Sequence, residues 1–125
     1  MIKSTLVTST NVTVPDLVFT SSTTGAIIGG GVTGQTNAVT TIALCNTAAV
    51  TLTDETANSV TANIYFAKSG IGAQPSNIVV SNLVIPAGET VFFSEERFVL
   101  DSGDQIYVGT SAAGRLVVTV STLPV

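Results

Sequence analysis

The run Leu83-Val-Ile-Pro-Ala-Gly-Glu-Thr-Val-Phe-Phe-Ser94, followed by Phe98-Val-Leu-Asp-Ser-Gly-Asp-Gln-Ile-Tyr-Val-Gly109, decides the fold class. Apolar and β-branched stretches are cut twice by turn formers, Pro86-Ala-Gly-Glu89 and Asp101-Ser-Gly-Asp104, so the run reads strand, turn, strand, turn, strand. Proline presets φ for a turn, Asp and Ser accept backbone amides, and glycine takes the left-handed conformation. Pro86, Gly88, Asp101, Gly103 and Asp104 are therefore the candidate scaffold residues, with Asp101 and Ser102 expected as the amide acceptors of a hairpin turn.

The same texture extends outward. Residues 105–109 and 116–122 read as strands joined by Ala112-Ala-Gly-Arg115, which predicts a terminal hairpin. Upstream, residues 78–85 form an apolar run. Val60, Ala62, Ile64 and Phe66 alternate with Thr61, Asn63 and Tyr65 at the period of two of a half-buried strand. Ile42 and Leu44 alternate similarly within 39–45, and a short strand is expected at 50–53. Residues 68–77 are a loop rich in turn formers, and no segment carries helical periodicity with caps. Short strands at this spacing predict an all-β fold. The expected architecture is an antiparallel β-sandwich, Ig-like or jelly-roll-like, of about seven to eight strands over residues 37–125.

Residues 1–36 differ in texture. They are dominated by Ser, Thr and Gly, Pro15 interrupts any ladder, and Gly25-Ala-Ile-Ile-Gly-Gly-Gly-Val-Thr-Gly34 is glycine-rich. An extended N-terminal arm is the expectation, contributing little to its own core and able to add a strand to a neighbour. Its apolar side chains, Leu6, Val7, Val12, Val14, Leu17, Phe19, Ile27 and Ile28, are the candidate intermolecular contacts.

Composition narrows the function classes. The 125 residues are 45% hydrophobic and only 10% charged, against about 25% charged in ordinary soluble domains. A surface this poor in charge suits a protein covered by neighbours. The net charge is -4, and Lys3, Lys68, Arg97 and Arg115 are scattered, so no cationic footprint for nucleic acid forms. Cys45 is the only cysteine, which rules out an intrachain disulfide, and its apolar run predicts a small buried hydrophobe. Met1-Ile-Lys-Ser-Thr-Leu-Val-Thr-Ser-Thr10 lacks a long apolar core, and no run approaches the length of a membrane helix, so neither a secretory signal nor a membrane partner is expected.

Three motifs invite chemistry. Gly29-Gly-Gly-Val-Thr-Gly34 satisfies G-x-G-x-x-G, but its continuation is strand-like, whereas the dinucleotide fingerprint must open a helix. Asp101-Ser-Gly103 matches the aspartic-protease triplet, yet Asp104 stands where a small residue belongs and Ile27-Ile28-Gly29 lies upstream of the triplet. Glu89, Glu95, Glu96, Asp101 and Asp104 form an acidic group without the alternating ligands of a calcium loop. The chain has no histidine, so a Ser-His-Asp triad and a His-ligated zinc are excluded. No catalytic residue, metal or cofactor is expected.

One resemblance rests on packing and turn residues. Thr41-Ile-Ala-Leu-Cys-Asn-Thr47, Asn63-Ile-Tyr-Phe66, Ile85-Pro-Ala-Gly-Glu-Thr90, the Leu100-x-x-Gly-Asp-x-Ile-x-Val108 pattern and Val118-Thr-Val-Ser121 together resemble small β-sandwich structural proteins of tailed bacteriophages. The resemblance spans roughly residues 38–122 and leaves the first 36 aside. It implies a non-enzymatic virion component, assembled in the host cytoplasm. The implied partners are other virion proteins, either the major capsid protein or tail proteins, and further copies of the chain, with a trimer as the implied homo-oligomer. A capsid decoration or cement role leads. A tail, neck or baseplate adaptor is the alternative, and a glycan-binding module using residues 68–77 is a third reading.

Overall fold

The computed structural model describes residues 1–21, 25–26, 32–33, 36–54, 56–95 and 97–124. Its strands are β1 (Ile2–Leu6), β2 (Asp16–Thr20), β3 (Gly25–Ala26), β4 (Val32–Thr33), β5 (Asn37–Asn46), β6 (Val60–Ala67), β7 (Ile78–Ile85), β8 (Thr90–Phe93), β9 (Phe98–Leu100), β10 (Gln105–Thr110) and β11 (Leu116–Pro124). A 3-10 turn at Pro75–Asn77 precedes β7, and there is no α-helix among the described residues. A five-stranded sheet runs β1-β11-β5-β8, with β9 also pairing β5, and a four-stranded sheet runs β2-β10-β6-β7. Every pairing is antiparallel. The two sheets make the predicted β-sandwich.

Alternation explains the core. Along β5 the pattern buries Val39, Ile42 and Leu44, and along β11 it buries Leu116, Val118 and Val120. The facing sheet supplies Phe19, Ala62, Ile64, Ile106 and Val108. Slips of register in β5–β11, near Ser121 and Thr122, and in β2–β10 keep the apolar side chains inward where strict alternation would turn them out. Phe66 and Phe98 close one side of the sandwich edge to face, with ring centroids 4.6 Å apart.

The sequence-based expectations fail most visibly in the first twenty residues. Over residues 1–21 there is no free arm: β1 pairs β11 from Ile2↔Ser121 to Leu6↔Val117, and β2 pairs β10. Val7, Val18 and Phe19 are fully buried members of the core. These strands raise the count above the seven or eight expected. The stretch does add strands, but to its own two sheets.

Three turns also change meaning. Pro86–Glu89 joins β7 of one sheet to β8 of the other, 101–104 joins β9 to β10, and 111–115 joins β10 to β11, so all three are corners between sheets. The predicted hairpins at Asp101-Ser-Gly-Asp104 and Ala112-Ala-Gly-Arg115 are therefore absent. Gly88 and Gly103 do hold positive φ, at 76° and 87°. At the second corner Asp104 is an acceptor: its carboxylate takes the amides of Asp101 (3.1 Å) and Ser69 (3.1 Å). Residues 50–53, expected as a strand, lie in turn and coil.

Two buried polar side chains lock the corners. Asn46, wholly buried at the end of β5, donates from Nδ2 to the carbonyls of Asn58 and Ile85 (both 2.9 Å) and accepts the Ala48 amide at Oδ1 (3.0 Å). Its backbone bonds Gly88 and Glu89, which fixes the first corner against β5. At the other end of β5, Asn37 Nδ2 donates to Ser21 Oγ (2.9 Å), while the Ser21 backbone bonds Gly103 and Asp104.

Candidate functional site

The register of the five-stranded sheet fixes what its outer surface carries. Because side chains alternate, the rows that point away from the core can be read across the strands. The first is Leu6, Val117, Cys45, Thr90; the second is Ser4, Thr119, Ala43, Phe92. A third holds Ile2, Ser121 and Thr41, and a fourth Leu123, Ala38 and Val99. No charged residue occurs in the four rows. Ile2, Leu6, Phe92, Val99 and Leu123 are 72%, 50%, 64%, 61% and 58% exposed. Charges begin at the rim, with Lys3 on the edge strand, Glu89 beside Thr90, and Arg115 before β11.

The face also has relief. Its centre, β5, carries the small side chains Ala38, Thr41, Ala43 and Cys45, flanked by Phe92 and Val99 on one side and by Val117 and Leu123 on the other. Cys45 belongs here, partly exposed, because alternation sends Leu44 into the core. The expectation of a buried thiol is thus corrected.

The other sheet's outer surface is partly sealed. Residues 8–15 fold over it, and the Tyr65 hydroxyl donates to the Val12 carbonyl at 2.7 Å. A Cβ on Gly109 would lie 2.8 Å from the Val12 carbonyl carbon and 2.9 Å from its Cα, so only glycine admits this approach. Asn63 is also covered and accepts the Asn82 amide at Oδ1 (2.7 Å), inside the bulge where β7 carries Asn82 at φ 55°. Asn63 and Tyr65, read from alternation as an open face, are 4% and 3% exposed for this reason.

The candidate contact residues therefore separate. Leu6 lies on the charge-free face; Val14 and Leu17 are exposed on the side of the four-stranded sheet; Val12 is half-buried under its own loop's contact with Tyr65. Val7 and Phe19 are core residues and offer no contact surface, while Ile27 and Ile28 lie outside the described residues. On this face, Ile2, Phe92, Val99 and Leu123 are exposed residues that periodicity alone passed over. The signal was present in the sequence as apolar residues on both sides of β8, β9 and β11, but interpreting it requires knowing which side is core.

Asp101 is exposed at a corner, where a protease dyad would need a shielded pair. Among the described residues no group of three His, Cys, Asp or Glu is gathered to hold a metal. Of the Gly29–Gly34 motif only Val32 and Thr33 are described, paired as β4 with β3, while its glycines and Glu96 lie outside the described residues. In the 68–77 loop, Asn77 spends its side chain internally, donating to the Gly72 carbonyl (2.9 Å) and accepting the Gln74 amide (3.1 Å). An opening of about 180 Å³ between the sheets is lined by Ile42, Ile64, Phe66, Val80, Phe93 and Phe98. It lacks the placed polar groups that orient a substrate.

No protein-family model matches the chain, and no curated protein matches it in sequence.

Proposed function

We propose that the chain is a non-enzymatic structural subunit acting in many copies, and that its setting is the one its sequence resembles, the virion of a tailed phage. The observation that carries the structural role is the charge-free outer face of the five-stranded sheet, with five large apolar side chains at least half exposed. Uncharged surface with large apolar side chains exposed along it suits a contact with another protein, because leaving that apolar area in water forfeits about 25 cal/mol for each Å². The rigid corners suit a building block whose shape must be repeated. The phage setting is supported by the resemblance of residues 38–122 and by the low charge. Within it, a capsid decoration or cement protein is the leading role and a tail or baseplate adaptor the coarser alternative.

Quantitative mass spectrometry of purified particles tests this. On the order of hundreds of copies per particle supports the shell, as icosahedral repetition requires, and about a dozen or fewer supports the tail. Complete absence from particles refutes the virion reading.

A further inference from the structure

The outer face of the five-stranded sheet has a pattern that bears on its partner. We infer that the face packs against the same face of a second copy, through a two-fold axis lying between β11 and β5 and running roughly along the strands. This deepens the structural role proposed above and rests on it.

The argument comes from the rows. Such an axis exchanges β1 with β8 and β11 with β5 while keeping each row opposite its own copy, so every row meets itself reversed. In the row Ser4, Thr119, Ala43, Phe92, the Phe92 ring then faces Ser4, and Ala43 faces Thr119. Ser4 is a notch between the larger Ile2 and Leu6 on the same edge. In the row Leu6, Val117, Cys45, Thr90, Leu6 faces Thr90 and Val117 faces Cys45. On the fourth row Leu123 meets Ala38. Large opposes small at each of these crossings, the condition under which facing layers interdigitate. An isologous contact demands this self-complementarity, and a row order drawn for some other partner need not have it.

Charge and size agree. Two chains of net charge -4 repel, and the least costly approach is through a face with no charge to desolvate. The strands β1, β11, β5, β8 and β9 hold 5, 9, 10, 4 and 3 residues, and at about 3.3 Å per residue and about 4.8 Å between strands they give a footprint of about 500 Å² before side-chain relief. Counted on both partners that is about 1,000 Å², the lower bound of a specific interface. Aligned sheets pack about 10 Å apart with strands within about 30°. This two-fold pairing is offered in place of the trimer implied by the resemblance.

The test uses the native chain and its single thiol. In this arrangement the two Cys45 Cα atoms lie about 11 Å apart, from the ~10 Å sheet separation and one ~4.8 Å strand offset. A short bis-maleimide should join two copies covalently through Cys45, and sedimentation velocity should show a dimer. Phe92→Glu should raise the dissociation constant at least about 100-fold by burying two unpaired carboxylates. Leu123→Glu should act the same way, and circular dichroism should confirm that at least one variant is folded. Val84→Glu, on the other sheet's exposed side, should leave the dimer intact. A monomer at all concentrations, or a dimer indifferent to both face variants, overturns the inference. If Phe92→Glu abolishes incorporation into particles while the wild type is monomeric, the face binds a different virion protein. The self-pairing is then refuted and the structural role stands.

Discussion

Replacing Gly109 by alanine should separate the loop of residues 8–15 from the sheet it covers. Gly109 lies in β10, so the added methyl brings no backbone strain and acts by contact alone. It would meet the Val12 carbonyl oxygen, with the carbonyl carbon at 2.8 Å and Cα at 2.9 Å. Ordinary contact needs roughly 0.6–1 Å more on the scale of carbon–carbon separations. The loop cannot yield at Val12 alone, because Ser9 Oγ lies 2.8 Å from both the Asn11 and Val14 carbonyls, and Thr110 Oγ1 holds the Ser9 carbonyl at 2.9 Å. It must move as a unit, which stretches the 2.7 Å bond from the Tyr65 hydroxyl. Overpacking costs about 1–3 kcal/mol and a lost hydrogen bond about 1 kcal/mol, so the loss should be about 2–3 kcal/mol. Urea unfolding at fixed protein concentration measures it as a fall in midpoint. Tyr65→Phe alone should cost about 1 kcal/mol, and in the Gly109→Ala background almost nothing, since the bond is already broken. Stability of Gly109→Ala within about 0.5 kcal/mol of wild type, or full additivity of the two changes, would refute the clamp.

Asn46→Ala should cost about 3 kcal/mol, because three side-chain hydrogen bonds disappear and the Ile85 carbonyl is left buried; denaturant unfolding checks it. Thr122→Val should be neutral or stabilising by up to about 1 kcal/mol, since the buried Thr122 Oγ1 has no hydrogen-bond partner and valine keeps the shape. The Asp54 carboxyl is held below its ordinary 3.8 first by the Thr56 hydroxyl, at 2.8 Å, and then by the Thr56 amide. A depressed folded value means that the turn is supported at neutral pH and loses that support as pH falls below 3.8 through the folded value. Carbon-detected NMR should place the Asp54 midpoint below 3.8, and Thr56→Ala should move it back up.

Much of the sandwich was legible because one face of each strand is buried. β6, β7, β8 and β9 announce themselves by alternation or by apolar runs bounded by Pro, Gly, Asn and Asp. The pairing was not legible. A four-residue corner such as Asp101–Asp104 uses the same residue types as a hairpin turn, and sequence does not say whether the chain returns to its own sheet or crosses to the opposite one. β1 was hidden because it is an edge strand with Ile2, Ser4 and Leu6 outward and a polar Thr5 inward. β2 was hidden because its bulge buries Val18 and Phe19 in succession and breaks the period of two. Asn46, which periodicity does not single out, is a buried hub. The charge-free outer face depended on the same missing knowledge: which side of β8 and β9 is core is undecided until they are paired to β5.

The pairing of β1 with β11 also sets a clock. Ser4 and Thr119, hydrogen-bonded across the two strands at 2.8 Å, are separated by 115 residues of chain. At about 5–20 residues per second, a ribosome needs about 6–23 s to make the second partner after the first. Until then the five-stranded sheet lacks its β11 layer, and the rows of the outer face exist only as fragments. Under the self-pairing proposed above, association through this face would wait until β11 has been made.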